Sequence, residues 1–423
     1  MRIDPIKFAR KVISSDLSLF TFSNLLVNFI NFSSQLLVAN ILTPADIGYI
    51  KLILSVISVI TIVANFGINV SILKICSENI DNREIFNRFY SGNVITTISS
   101  SIVIFITTIF FIFNHTFIDA NTNFYLYIVI SISIIINSIF NNYSAIFQGL
   151  RKNKEFSFIN IIIKSTSIIL IILFTYYFRF KGYWIAYIVS ISLSLIIIVL
   201  YLKKHINKEK NYLFNTKNYF KIHFNYSKWA LASNTLGQLT IYSDIFIVNI
   251  LSDNKNEIGI YSFATTFVVI IKIIPATIQQ YISPRFSFIS DNIKEIKSKY
   301  IKYNKLIITT SFIIGIVTII IVPFFIKEIF PKYENSIKYI ILLTISVIIR
   351  NFNIINASVL FGVGKLKYNL YNDLISFSLI TILSTMLFSR LNFISCALSQ
   401  IVVSVIIVFI SRYQVKKILN ANY

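Results

Sequence analysis

Seven charged residues sit within or at the edges of otherwise apolar runs of this chain. Lys51, Lys164, Lys228, Lys272 and Arg350 are basic; Asp244 and Asp373 are acidic. A charge near the bilayer centre costs about 2.5–3.5 kcal/mol or more, so intramembrane charges read as functional by default. Lys51, Lys164 and Lys228 lie within two turns of helix ends, where a long side chain can snorkel to the interface. For Lys51 and Lys164 that reading stands beside a place in a cavity. Lys272 and Arg350 lie deeper and read as cavity residues. Up to four bases against Asp244 make such a cavity net cationic. It would attract an anion, and phosphate fits because Arg and Lys bind it well. Asp244 shares a helix face with Ser233, Gly237 and Thr240. It reads either as a counter-charge to a base such as Lys272 or Arg350, or as a coupling site for an ion or proton. Asp373 falls near a helix end.

Uncharged polar residues form stripes at helical spacing. Asn24, Asn28, Asn31 and Gln35 share one face. So do Asn137, Asn141, Ser144 and Gln148, and, further on, Ser346, Arg350, Asn353 and Ala357. Asn234 and Gln238 repeat the spacing of Asn24 and Asn28. Any one of these side chains reads as helix-to-helix hydrogen bonding. Together the four stripes read as the lining of a shared polar cavity. Catalytic patterns are missing. His115, His205 and His223 are scattered, Cys76 and Cys396 stand far apart as structural thiols, and no GxSxG or P-loop is present. We therefore expect no enzyme, no metal and no cofactor. Transport would then run on ion gradients or membrane potential.

The elements that position these residues must be membrane helices. The chain has 423 residues, 56% hydrophobic and 13% charged; soluble proteins carry roughly 25% charged residues. Twelve apolar runs are long enough to span: 16–41, 47–73, 89–113, 123–149, 155–178, 182–202, 226–251, 258–282, 303–326, 337–362, 368–389 and 392–412. In hydrocarbon they should be helices, because the backbone must satisfy itself. With both termini cytoplasmic, the inside segments hold 27 Lys and Arg and the outside segments 7. Most of the +22 net charge is thus topology charge facing an anionic leaflet, not a nucleic-acid surface. Pro275 is expected to kink or hinge its helix.

The sequence also repeats itself. Leu42…Gly48-Tyr49 matches Leu251…Gly259-Ile260-Tyr261, and Phe147-Gln148-Gly149-Leu150-Arg151-Lys152 matches Phe361-Gly362-Val363-Gly364-Lys365. Six spans per copy make the repeats parallel. The expected fold is all-α and polytopic, with about twelve transmembrane helices in two six-helix lobes, 1–210 and 211–423.

Several segments resemble the polysaccharide flippase family, the Wzx-type O-antigen or repeat-unit translocases. That family belongs to the multidrug/oligosaccharidyl-lipid/polysaccharide exporter superfamily. The segments are ILTPADIGYIKL, ANFGINVSILK, AIFQGLRKNKEF, IYSDIFIVNIL with EIGIYSFA, ISPRFSFISDN and VLFGVGKLKY. The resemblance covers essentially the whole chain. It implies two lobes opening alternately, and an undecaprenyl-pyrophosphate-linked oligosaccharide moved from the cytoplasmic to the outer leaflet of a bacterial inner membrane. Asp244 falls in the seventh-helix motif; Lys51, Lys272 and Arg350 match no motif. The expected partners are the lipid-linked oligosaccharide (a polyprenyl pyrophosphate), the bilayer, and a glycan polymerase or other assembly proteins, with the chain itself a monomer. The alternative is a cation-coupled multidrug or small-molecule antiporter of the same superfamily. A glycan polymerase or ligase is disfavoured, because the longest outside loop, Lys327–Ser336, is short.

Overall fold

The computed structural model describes residues 16–77, 81–113, 120–150, 152–205, 216–289 and 292–420. The basic N-terminus, most of the loop after the third span and the Asn24 side chain lie outside the described residues. Thirteen α-helices and one 3₁₀ turn make up the described chain. They are α1 (Asp16–Ile41), α2 (Pro44–Asn65), α3 (Ile68–Ile75), α4 (Asn82–Phe113), α5 (Ala120–Gly149) and α6 (Asn153–His205), then α7 (Thr216–Leu251), α8 (Lys255–Phe288) and α9 (Ile293–Ile329). After the 3₁₀ turn Pro331–Ser336 come α10 (Ile337–Asn351), α11 (Ile354–Gly362), α12 (Leu366–Leu391) and α13 (Ile394–Asn420). The twelve expected spans are all present. α6 holds two of them, folded back at Arg179, and two other spans are each broken into a helix pair.

The breaks are not where proline would put them. α8 runs through Pro275 without interruption. One break is at Phe66-Gly67, both at positive φ, and the other is at Phe352-Asn353. Gly67 is needed at φ 69° because a Cβ there would also press on the Ser227 carbonyl.

Three turns repeat their backbone chemistry across the two copies. Thr43 and Asp46 form a capping box, with Thr43 Oγ1 donating to Asp46 Oδ2 at 2.7 Å and Asp46 N to Thr43 Oγ1 at 3.3 Å. Asn254 caps α8 likewise, accepting from Glu257 N at 3.1 Å. Lys152 N donates to Phe147 O at 2.9 Å, and Lys365 N to Leu360 O at 2.8 Å, the same six-to-one helix ending. Arg179 (φ 52°, ψ −134°) and Asn392 (φ 47°, ψ −135°) make the same tight reversal. Three matched turns in the same order establish the parallel internal repeat.

Contacts divide the chain into two compact units. In the first, residues up to Ser34 join Ile53–Thr235; in the second, Gln35–Leu52 join Leu236–Tyr423. The first unit packs Ile72, Phe89, Ile146, Phe147 and Leu202 in one core. The second packs Phe286, Ile355, Val359, Leu360 and Val415. Ile146, Phe147 and Leu202 occupy the repeat positions of Val359, Leu360 and Val415. Lipid tails are as apolar as these side chains, so close packing and interhelical hydrogen bonds hold the helices together. In the first unit Asn142 does this from α5. Its amide donates to Asn93 Oδ1 (3.0 Å) and Thr96 Oγ1 (2.9 Å), and Asn65 at the end of α2 donates to its carbonyl oxygen at 2.9 Å.

His223 lies on α7 before the apolar span begins, and it is buried. Its Nε2 donates to the Arg88 carbonyl (3.0 Å), so Nδ1 accepts from Ser71 Oγ (2.9 Å). Burial first, and the nearby Arg88 charge, push its pKa down to about 4, against the opposing pull of the carbonyl bond. A depressed pKa means that stability is complete above the unfolded value of about 6.5 and is lost as pH falls towards 4. The melting temperature of purified protein should drop over that window, by the equivalent of up to about 3 kcal/mol. His223→Gln should flatten the drop.

The second unit takes in the α1–α2 turn. Lys332 Nζ, in the 3₁₀ turn, donates to the carbonyls of Asn40 (2.9 Å) and Leu42 (2.6 Å) at the end of α1. Tyr333 OH reaches the Ala39 carbonyl at 3.3 Å. Gly48 and Gly259, repeat equivalents, meet backbone to backbone: a Cβ on Gly48 would lie 2.9 Å from Gly259 N. A Cβ on Gly259 would run into the Pro44 carbonyl.

Candidate functional site

The second unit gathers Lys51, Lys272, Arg350, Asp244 and Asp373. Each is positioned by a local device. Lys51, on the second turn of α2, is held by Gln35, whose Oε1 accepts from Lys51 Nζ at 2.6 Å and from Thr266 Oγ1 at 3.4 Å. Lys272 projects from α8. Arg350 is the penultimate residue of α10, just before the Phe352-Asn353 break. The adjacent Asn351 pins that end by donating to Ser311 Oγ on α9 (3.0 Å) and to the Ile271 carbonyl on α8 (3.5 Å).

Asp244 is 3% exposed and fully coordinated. It accepts from Gln400 Nε2 (2.9 Å), Tyr261 OH (3.1 Å) and its neighbour's backbone, Ile245 N (2.9 Å). Its direct partners are therefore neutral donors on α8, α13 and its own helix. Lys51, Lys272 and Arg350 lie close enough to feel its charge. Arg350 feels Asp373 as well, and Lys272 feels Arg350. Among the described residues neither Lys272 nor Arg350 closes an ion pair with a carboxylate. The two bases thus keep hydrogen-bonding capacity for a ligand. Three bases against two acids leave the cluster one charge positive, less than four bases against one acid would give.

A small cavity of about 20 Å³ lies beside Arg350, lined by Asn353, Asp373, Ser376 and Ser404 with two aliphatic side chains. Asn353 Oδ1 in it is buried and accepts no hydrogen bond among the described residues. Replacing Asp244 tests its share in this arrangement. Asp244→Leu strands Tyr261 OH and the Gln400 amide in a buried site and should cost about 2–4 kcal/mol, against much less for Asp244→Asn. Thermal unfolding of the purified variants measures the difference.

Of the other expected site residues, Gln35 and Asn353 join this cluster, at Lys51 and beside Arg350. Lys164, Asn28, Asn31, Asn137, Asn141 and Asn234 belong to the first unit. Lys164 is half-buried, Asn137 donates to Tyr187 OH at 3.4 Å, and Asn234 is exposed. Gln35, Gln238 and Asn353 belong to the second. Gln400 and Tyr261, which hold Asp244, were not expected. The repeat turn ending in Tyr261 contained the signal for one of them, since that tyrosine closes the motif one helix after the acid. Nothing local marks Gln400.

Twelve helical spans, a parallel repeat of six, and an ionisable cluster held at a broken helix define a polytopic α-helical membrane protein. Residues 14–290 match the family described as polysaccharide biosynthesis protein, and the chain belongs to that family. No curated protein matches the sequence. Among solved structures, the outward-facing conformation of a multidrug resistance MATE family transporter of the MOP superfamily is similar at a TM-score of 0.73 and 12% identity, covering 96% of each chain. The inward-facing conformation of such a transporter is similar at 0.73 and 14%, covering 95% of this chain and 99% of that one. A MOP superfamily transporter from Pyrococcus furiosus, reported with a reversed binding-pocket polarity that suggests a different function, is similar at 0.63 and 11%, covering 95% and 96%. At these identities the likeness shows the fold.

Proposed function

We propose that the chain is a flippase that moves an undecaprenyl-pyrophosphate-linked oligosaccharide from the cytoplasmic to the outer leaflet of a bacterial inner membrane. The observation that carries this reading is the convergence of Lys51, Lys272 and Arg350 on one buried site, two of them closing no ion pair with a carboxylate among the described residues. A diphosphate bridging Lys272 and Arg350 would satisfy both by charge-assisted hydrogen bonds. The glycan would lie along amides such as Gln238 and Asn353. The lipid tail would stay in the bilayer. The polysaccharide biosynthesis family supports a glycan substrate, and the positive-inside count supports cytoplasmic termini. The reversed pocket polarity of the Pyrococcus furiosus protein, which suggests a different function for it, supports the idea that this fold can serve more than one kind of ligand.

The antiporter reading draws on Asp244 and Asp373, which a cationic drug would need. Saturation of Asp244 by neutral donors leaves only Asp373 for that role, which favours the flippase. Complementation decides between them. In hosts lacking their own repeat-unit translocase, the chain should restore surface glycan built on a matching lipid-linked unit and should leave drug sensitivity unchanged. Drug resistance without glycan would reverse the choice.

A further inference from the structure

The two acids of the cluster are held in opposite ways. Asp244 is tied by three donors from three places. Asp373, on α12, receives no hydrogen bond at its carboxylate among the described residues, and it opens on the small cavity beside Arg350. The neighbouring groups do not fix it: Ser376 Oγ donates to the Asn372 carbonyl (2.8 Å), and Ser404 Oγ is shared with Ser346 Oγ (3.3 Å). Asn353 Oδ1 is a second acceptor left unpaired in the same space. The charged group facing Asp373 is Arg350 from α10, with Asp244 of α7 and Lys272 of α8 next to Arg350 in turn. The break before α11 contributes neutral Asn353, and α13 neutral Ser404.

We infer that Asp373 is an exchangeable counter-ion, which neutralises Arg350 in the empty site and is displaced when a phosphate oxygen of the substrate takes the guanidinium. This rests on reading the site as a pyrophosphate site. A phosphate presents several acceptor oxygens to the guanidinium fork, whereas Asp373 stands off without closing an ion pair, so the exchange favours the phosphate. The displaced carboxylate is then an anion beside a bound anion, and like charges in one site favour protonation of one of them. Asp373 takes up one proton from water on the side to which the cavity opens, and returns it when the substrate leaves. No other bond forms or breaks. Proton and substrate occupancy are linked, and the linkage is reciprocal. Asp244 takes no part in the exchange.

Binding of an undecaprenyl-pyrophosphate-linked sugar, whose two phosphates are both esterified and hold constant charge over pH 5.5–8, to the detergent-purified full chain across that range tests this. Wild-type affinity should rise as pH falls, and binding in lightly buffered solution should take up about one proton per site. Asp373→Asn should bind about 10-fold tighter or more at pH 7.5, with the pH dependence gone, since the competing charge is removed. Asp373→Ser should do the same, and Asp244→Asn should keep the wild-type pH slope. Binding without proton uptake, or an Asp373→Asn variant that keeps the wild-type affinity and slope, overturns the role of Asp373 and leaves the pyrophosphate site standing. Failure of both wild type and Asp373→Asn to bind overturns both.

Discussion

Alanine at both Arg350 and Lys272 should abolish surface glycan in a host that depends on this chain, while the protein stays in the membrane at normal level. Hydrogen bonds to charged groups contribute about 1.5–3 kcal/mol each. Losing two of them on one ligand predicts at least about a 100-fold loss of affinity. Among the described residues neither base closes an ion pair with a carboxylate; Asp373 loses only the facing charge of Arg350, and no hydrogen bond. Asp244 keeps its three neutral donors. The variant should therefore fold. Arg350→Lys should be intermediate, because lysine keeps the charge but loses the planar fork. Surface glycan staining beside a membrane blot reads both quantities; full glycan in the double variant would sink the cationic-site claim.

Gly259→Ala should be among the most destabilising single methyl additions in the second unit. The new Cβ meets the carbonyl carbon and oxygen of Pro44, which are backbone atoms and cannot swing aside. Relief would require the start of α2 to move, yet that start is fixed by the Thr43–Asp46 box and by Lys332 on the Asn40 and Leu42 carbonyls. Overpacking of this kind costs about 1–3 kcal/mol, and more where the backbone is held. Gly48→Ala should be milder, since its Cβ would stand 2.9 Å or more from its nearest neighbours. Gly237 supplies the control. A Cβ there meets nothing within 4 Å, so alanine should be neutral or stabilising by up to about 1 kcal/mol. Thermal unfolding of the three variants gives the order; equal melting temperatures would refute the clash.

The spans and the repeat could be read before the structure because both are local. A run of apolar residues is long enough or it is not, and Thr43–Asp46 and Asn254–Glu257 carry their caps in four residues. The breaks were not legible. Pro275 was expected to kink or hinge its helix, and α8 continues through it unbroken. Phe352-Asn353 breaks its helix with no proline or glycine to announce it. Periodicity identified the face carrying Asn137 and Asn141 but passed over Asn142, the buried member of the interhelical network, because a stripe does not say which side meets protein. Asp373 read as an end-of-helix residue, and only the packing of α12 beside Arg350 makes it part of the cluster. The donor from Gln400 to Asp244 bridges 156 positions, a distance no local pattern spans.

The capture of residues 35–52 by the second unit also has a consequence in time. The ribosome releases this segment early, and its partners around Gly259 and Lys332 emerge roughly two hundred and three hundred residues later. Through that interval the end of α1 lacks the lysine that caps its carbonyls. Maturation of the first-made hairpin therefore waits on α8 and the 3₁₀ turn after α9. A chain severed between α6 and α7 would yield a later fragment missing one of its own structural parts. Quality control during membrane insertion should then act on the whole polypeptide, with the α1–α2 turn as the point where early and late synthesis are reconciled.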